Sequence, residues 1–419
     1  MRGASKSIIA AAGVLAISGA LVFGALSRDH VETGSIGVPS VNLEGLVASN
    51  SKSPELQESD FFYQLTQLLE REYVDPVKED DKLSTGAVRG MIASLQDPDC
   101  MFMNDKQFKL FMDSQKGVFA GIGAEYRFQF TPAQLADIAK KDDRKDPALL
   151  IPNLVVSFVA PGGPADKAGI KPGDQIETVN GRWVLASGPI KAFREQQQKV
   201  AQGKLPAKAL DEARTLMRDK LKDGMTPGRA REILMDGESG KVELRYLRAG
   251  LATKVEVAKQ KTEVRAVEQK PDGSYAVKLF SSVGSELKPI LESKSDIVLD
   301  LRDSGAGNFE AMKETLGLLG PAGTYGEMAT EKKESPKPMT VVSGSNSNRK
   351  VTLIVDGTTR GAAEIFALAL SSKGVAKLQG QTMGGDRKVI QIVTLPGGSG
   401  YTLATGIYRP SRKLEAKQS

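Results

Sequence analysis

An uncharged run from Ser7 to Ser27, dominated by Ile, Ala, Leu, Val and Gly, begins the hydrophobic pattern of this chain. At roughly twenty residues it is about long enough to cross a bilayer as a helix, whereas a cleaved signal peptide has an apolar core of only ~7–15 residues. Arg2 and Lys6 precede the run, which places the body of the chain outside the membrane, in a bacterium the periplasm. The pattern thus predicts a membrane anchor within 1–30, with Ala25-Leu26-Ser27 as an alternative cleavage site. Residues 31–58, rich in Gly, Ser, Asn and Val without a sustained period, read as a linker. From 59 to 120 the spacing becomes helical: Phe62, Leu65, Leu68 and Leu69, then Ala87, Met91 and Leu95. Asp75-Pro76 and Asp97-Pro98 punctuate these helices.

Between 121 and 262 the pattern changes to strands. Gly121-Ile122-Gly123-Ala124 begins one, and Leu154–Val159 reads as another. A short helix then ends at Gly169, a Pro172-Gly173-Asp174 turn follows, and a strand runs into an Asn180-Gly181 hairpin turn. Residues 188–226 interrupt this unit as two helices, the second with an apolar stripe of Leu210, Ala213, Met217 and Leu221. Arg229–Met235 is predicted as a helix and Lys241–Arg248 as the last strand. From 263 to 411 strands and helices alternate in an α/β layer pattern: a strand at 296–302, another at Val351–Val355, a helix at Ala362–Ser371, a strand at Val375–Gln379 and a hairpin strand at Tyr401–Thr405. Residues 412–419 read as a tail.

Composition narrows the chemistry. The 419 residues are 40% hydrophobic and 26% charged, ordinary for a globular protein with a substantial core. A net charge of +6 without a concentrated Lys/Arg stripe argues against nucleic acid as partner. Cys100 is the sole cysteine, so no intramolecular disulfide forms, and it reads as a small buried side chain rather than a reactive one. His30, beside the apolar run, is the sole histidine. A Ser-His-Asp or Cys-His site therefore has no imidazole in the folded body, and the usual zinc ligands are missing. No metal and no cofactor are expected.

The string Gly163-Pro164-Ala165-Asp166-Lys167-Ala168-Gly169-Ile170-Lys171-Pro172-Gly173-Asp174, continuing to Asn180-Gly181, resembles a PDZ domain of the bacterial protease type. That resemblance implies that a peptide adds as a strand and that Gly121, Ile122, Gly123 and Ala124 hold its terminal carboxylate through backbone N–H groups. The glycines also suit a tight turn. Two readings of the 188–226 insert stay open, a helical hairpin packed on its own domain and a partner-binding or oligomerisation surface.

Taken in order, Tyr73-Val74-Asp75-Pro76, Gly90-Met91, Phe119-Ala120-Gly121-Ile122-Gly123, the PDZ string, Asp300-Leu301-Arg302, Ala363-Glu364-Ile365 and Tyr408-Arg409-Pro410-Ser411 resemble the carboxyl-terminal processing proteases over about 59–411. The resemblance implies an α/β multidomain chain with an N-terminal membrane helix, a helical front segment, a PDZ domain with helical insert and an α/β protease-like core. It also implies a serine nucleophile, a lysine base and an oxyanion hole of backbone amides, with a PDZ domain that captures C-termini and gates the site. Residue by residue, the catalytic part departs from that pattern. The family's S-A-S-A-S-E-I corresponds to Thr359-Arg360-Gly361-Ala362-Ala363-Glu364-Ile365, with Gly361 at the nucleophile. The family's T-F-G-K-G-x-V-Q corresponds to 383–391, where the lysine becomes Asp386, or Arg387 counting back from the retained Gln391. The oxyanion turn N-N-P-G-G becomes Asp303-Ser304-Gly305-Ala306-Gly307, leaving Gly305, Ala306 and Gly307 as its remnant, and D-P-H-S becomes Asp97-Pro98-Asp99-Cys100.

The expectation is a pseudoprotease, anchored to the inner membrane by 7–27, that binds protein or peptide C-termini or an envelope partner as adaptor, regulator or scaffold. It is also expected to assemble with itself or with an active relative. The alternatives are an endopeptidase that uses Thr358 or Thr359 with Lys388, and a purely structural role through the insert.

Overall fold

In a computed structural model, the chain is described at residues 54–74, 80–139, 151–237, 239–281, 283–305, 307–330, 335–345 and 349–411. The expected anchor at 7–27, most of the linker, His30, Asp75-Pro76, Ala306 and the tail lie outside those residues. Among the described residues no helix is long and apolar enough to cross a membrane. They divide into two compact units, 54–96 and 97–411.

The first unit has helix α1, Pro54–Glu72, and helix α2, Asp80–Ser94. Proline at the first helical position suits a helix start, where its missing N–H has no acceptor to lose. Helix α1 therefore begins inside the stretch that composition alone reads as linker. Leu65 and Leu68 are half-buried, while Phe62, Tyr63, Leu69, Met91 and Leu95 are exposed.

The second unit begins with strand β1, Met101–Met103, helix α3, Asp105–Gln115, and strand β2, Val118–Phe119. Helix α3 has a full capping box: the Gln107 N–H donates to Asn104 Oδ1, and the Asn104 N–H donates to Gln107 Oε1. The front region is thus not wholly helical, because three residues leave it to pair with the far end of the chain.

Strand β3, Ala124–Gln129, helix α4, Pro132–Ala139, strand β4, Asn153–Val159, helix α5, Pro164–Lys167, strand β5, Gln175–Val179, and strand β6, Arg182–Trp183, form the first part of the next layer. The Asn180 and Gly181 φ angles, 51° and 74°, are those of the mirror-image turn that matches strand twist. Helices α6, Ser187–Ala201, and α7, Ala207–Lys222, make the insert. Helix α8, Pro227–Met235, and strands β7, Lys241–Arg248, and β8, Leu251–Ala258, complete the unit. The sheet order is β3-β4-β5-β7-β8, with β6 on β5, so β3 is an edge strand. Leu221 and Met217 of α7 pack with Trp183, Leu185, Ile190 and Ile151, and Lys220 lies over the Trp183 ring. The insert's stripe therefore packs on its own domain, while Leu216 stays exposed.

Strand β9, Thr262–Glu263, pairs with β2. Strands β10, Val267–Gln269, and β11, Tyr275–Val277, helix α9, Val283–Ser293, strand β12, Asp296–Asp300, helix α10, Phe309–Leu319, strands β13, Gly323–Ala329, β14, Lys337–Val341, and β15, Lys350–Val355, helix α11, Ala362–Ser372, and strands β16, Ala376–Gly380, β17, Lys388–Thr394, and β18, Gly400–Arg409, complete the chain. One sheet runs β10-β11-β12-β15-β16 and is parallel from β11 to β16. The other is antiparallel, β1-β18-β13-β14 with β17 on β18. Leu299, Leu353, Phe280, Phe366 and Leu370 share one buried cluster with α9–α11. Strand β15 points its C-terminal end at the start of α11, and the candidate site lies there.

Candidate active-site cleft

Gly361 caps α11 on its N-terminal side with φ 55° and ψ −129°. This left-handed φ at a sharp strand-to-helix corner is the kind of strained turn that exposes a nucleophile. A β-carbon built at Gly361 meets nothing within 4 Å, so the side-chain space is open. That space belongs to a cavity of about 210 Å³ whose walls include Ser304, Thr358, Arg360, Asp386 and Lys388, with Arg127 reaching in from β3. The cavity contains Asp386 but not Arg387, so Asp386 stands nearer the place of the family's lysine. Arg387 instead approaches Glu364, with Nε 3.9 Å from Oε1. Gln391 is exposed on β17 and does not line the cavity, whose β17 residues are Lys388 and Ile390; alternation along a strand puts Gln391 on the opposite face.

Two backbone N–H groups at this corner, those of Gly305 and Gly361, are occupied. The Gly305 N–H donates to the Lys278 carbonyl at 2.7 Å, and the Gly361 N–H donates to the Asp386 carbonyl at 2.9 Å. Ser304 Oγ donates to the Val277 carbonyl. Gly307 lies against Ala362, a β-carbon there falling 2.6 Å from the Ala362 Cβ. Of the remnant at 305–307, the Gly305 amide is thus engaged internally, because the turn folds back onto the loop that follows β11.

Nor are Thr358 and Thr359 brought to Lys388 as nucleophile and base. Thr358 Oγ1 donates to Asp356 Oδ1 at 2.6 Å and accepts from the Asp303 N–H at 2.8 Å. Thr359 is fully buried, donating to the Leu301 carbonyl and accepting from the Asp356 N–H. Lys388 Nζ donates to Asp97 Oδ1 at 2.8 Å and to Asp99 Oδ2 at 2.6 Å. Burial alone would push this ammonium down, but its hydrogen bonds to both carboxylates outweigh that and hold it well above the ordinary lysine value. A lysine held protonated in this way is a poor base. Sequence reasoning missed this clamp because its members are 291 and 289 positions apart. The signal was the exchange of His and Ser for Asp99 and Cys100 beside a relocated lysine. Cys100 is half-buried rather than buried, its Sγ accepting from the Ala404 N–H.

The loop expected to hold a carboxylate is also committed internally. The N–H groups of Gly121, Ile122 and Gly123 donate to the carbonyls of Gly237, Leu234 and Ala120. Gly121 lies so close to α8 that a β-carbon would come within 2.0 Å of the Leu234 carbonyl oxygen. Ala124, the last of the four expected residues, opens the β3 edge instead. Beside that edge is a second cavity of about 240 Å³, walled by Met101, Phe111, Tyr126, Phe128, Arg231 and Ile390. Glu125, on the walls of both cavities, is 9% exposed and accepts from Ser114 Oγ. Burial pushes its carboxyl above the ordinary value of 4.5, against the Ser114 hydrogen bond and the nearby Arg231. A carboxyl raised in the native state stabilises fully below its unfolded pKa, and that contribution is lost as pH rises through the native one. Glu125→Gln is therefore expected to flatten the fall in melting temperature above pH 4.5, measured by thermal unfolding from pH 4 to 8. An unchanged slope would assign the fall to another group.

An unpaired sheet edge at β3, a strand-to-helix corner at Gly361 and a parallel α/β layer make up a PDZ-bearing, peptidase-like architecture. Residues 275–417 match peptidase family S41, residues 155–194 a PDZ domain, and residues 20–107 the N-terminal domain of the activating protease CtpB. The chain thus carries an S41 peptidase domain over 275–417 and is homologous to the C-terminal processing proteases of that family. A probable CtpA-like serine protease of Staphylococcus aureus (strain COL) is 26% identical over 318 residues, 72% of this chain and 51% of the relative. That of Staphylococcus saprophyticus is 26% identical over 343 residues, 79% of this chain and 58% of the relative. The chain thus spans about half the length of the curated relatives it matches. The photosystem II D1 C-terminal processing protease shares the fold, with a TM-score of 0.53 at 18% identity over 94% of this chain and 88% of that one.

Proposed function

We propose that this protein is a pseudoprotease of the cell envelope, anchored through 7–27 with its body in the periplasm, that holds polypeptides without cutting them. The observation that carries the reading is the cleft itself: no side chain at Gly361, a carboxylate at Asp386, and Lys388 in its wall clamped between Asp97 and Asp99. Removing the nucleophile or its base from a serine protease costs on the order of 10⁶ in rate, so losing both leaves negligible turnover. The unpaired edge of β3 beside α8 supports polypeptide binding by strand addition. Exposed Phe62, Tyr63, Leu69 and Met91 support self-association, or assembly with an active relative, through α1 and α2.

The test is incubation of the full chain, freed of contaminating proteases, with an unfolded protein substrate. No fragments are expected over hours. Sustained cleavage that disappears with Thr359→Ala would overturn the proposal and favour a rearranged endopeptidase.

A further inference from the structure

We propose that the cavity at Gly361 binds a carboxylate of the held polypeptide, an acidic side chain or a chain end, between the guanidinium groups of Arg127 and Arg360. The inference rests on the polypeptide-holding reading and gives the ligand of the former catalytic cleft a chemistry. Arg127 projects from the β3 edge, and Arg360 immediately precedes Gly361; both line the same cavity. Neither makes an ion pair within 4.0 Å among the described residues. Arg127 Nε is buried without a hydrogen-bond partner, and its Nη2 reaches Gln129 only at 3.4 Å. Arg360 Nε donates to the Gly357 carbonyl at 3.2 Å. Its side chain lies against Gly384, where a β-carbon would come within 2.4 Å of Cγ. It is therefore seated rather than swept into solvent.

Two half-buried like charges sharing one cavity are costly unless an anion joins them. The effect is visible on Arg127: burial pushes its guanidinium down, and Arg360 is the largest charge acting on it in the same direction. The carboxylates nearby do not supply the missing anion. Asp99 is bound by Lys388, Glu125 is bound by Ser114, and Asp386 closes no ion pair with either arginine. The open space at Gly361 is where the ligand's oxygens would sit. Ala362, the first residue of α11, adds an N–H of the kind a helix start leaves without an internal acceptor. A guanidinium pair matches a carboxylate in planarity and donor spacing. A strand added along β3 would carry its side chains past Arg127, which gives a polypeptide the means to deliver that group. The loop at 121–123, whose N–H groups are committed internally, is not involved.

Fluorescence polarisation with the full chain tests this using heptapeptides carrying an uncharged dye. The probes are Ala-Ala-Val-Glu-Ala-Val-Ala with an amidated C-terminus, its Gln counterpart, and the Gln peptide with a free C-terminus. At least one carboxylate-bearing peptide is expected to bind about tenfold tighter than the amidated Gln peptide, the size of one charge-assisted contact. Which one gains identifies the source as a side chain or a chain end. Arg127→Gln and Arg360→Gln are each expected to reduce that ratio to within about twofold, with Arg127→Lys retaining part of it. If all three peptides bind the unsubstituted chain equally, the carboxylate inference is overturned while polypeptide holding stands. If none binds, both are overturned. The comparison on the unsubstituted chain decides the matter even where a variant fails to fold.

Discussion

Full-length protein carrying Gly361→Ser together with Asp386→Lys is expected to hydrolyse a dye-labelled unfolded protein no faster than the unsubstituted chain. Space is not the obstacle, since nothing lies within 4 Å of the new β-carbon. The left-handed φ of 55° costs a serine about 1–3 kcal/mol, which a folded helix start can bear. The obstacle is charge stabilisation. Acyl transfer develops an oxyanion, and removing one donor from an oxyanion hole costs about 10²–10³ in rate. Here the Gly305 and Gly361 N–H groups already donate to Lys278 and Asp386. The introduced lysine also enters a cavity that holds Arg127, Arg360 and the clamped Lys388. A rate more than about 10²-fold above that of the unsubstituted chain would mean that the turn at 303–307 rearranges to free its donors, and would sink the argument.

Phe366→Ala is expected to destabilise the 97–411 unit by about 3–5 kcal/mol, the usual cost of emptying a large aromatic site. Phe366 is 1% exposed, and its ring centroid lies 5.0 Å from that of Phe280 at an interplanar angle of 56°. Such a tilted pair adds about 0.5–1.5 kcal/mol beyond area burial. The residue also lies a little over one turn from Gly361 on α11, so the void would loosen the corner that frames the cleft. Urea unfolding followed by tryptophan fluorescence and circular dichroism reads the effect as a lower midpoint at unchanged slope. A change below ~1 kcal/mol would mean that neighbouring side chains collapse into the gap.

Much of the fold was legible because its signals are local. Asn180-Gly181 dictates a hairpin by backbone conformation alone, and the insert's stripe of Leu210, Ala213, Met217 and Leu221 follows one helix face. Gly361 and Asp386 were identifiable by their place within short strings, and the structure brings both to one cavity. What escaped was non-local or electronic. Pairing of Met101 with Thr402 leaves no periodicity in a three-residue strand. The engagement of the 121–123 amides depends on how closely α8 approaches, which spacing within the loop does not encode. The state of Lys388 depends on two aspartates nearly 300 positions away, so its proximity to Asp386 in sequence suggested a spare base.

The union of β1 with β18 constrains when this chain can finish folding. The Met101 N–H donates to Thr402 Oγ1 across 301 positions. Asp97 and Asp99 likewise wait for Lys388. At ~5–20 residues per second, synthesis separates these partners by on the order of tens of seconds. Through that interval the front strand is an unpaired edge and Asp97 and Asp99 have no cation. Closure over so long a loop is entropically slow and exposes the edge to wrong partners. The last hairpin of the chain thus acts as the clasp of the fold, and a nascent chain stalled before β17 would hold its sheets with the front strand still open.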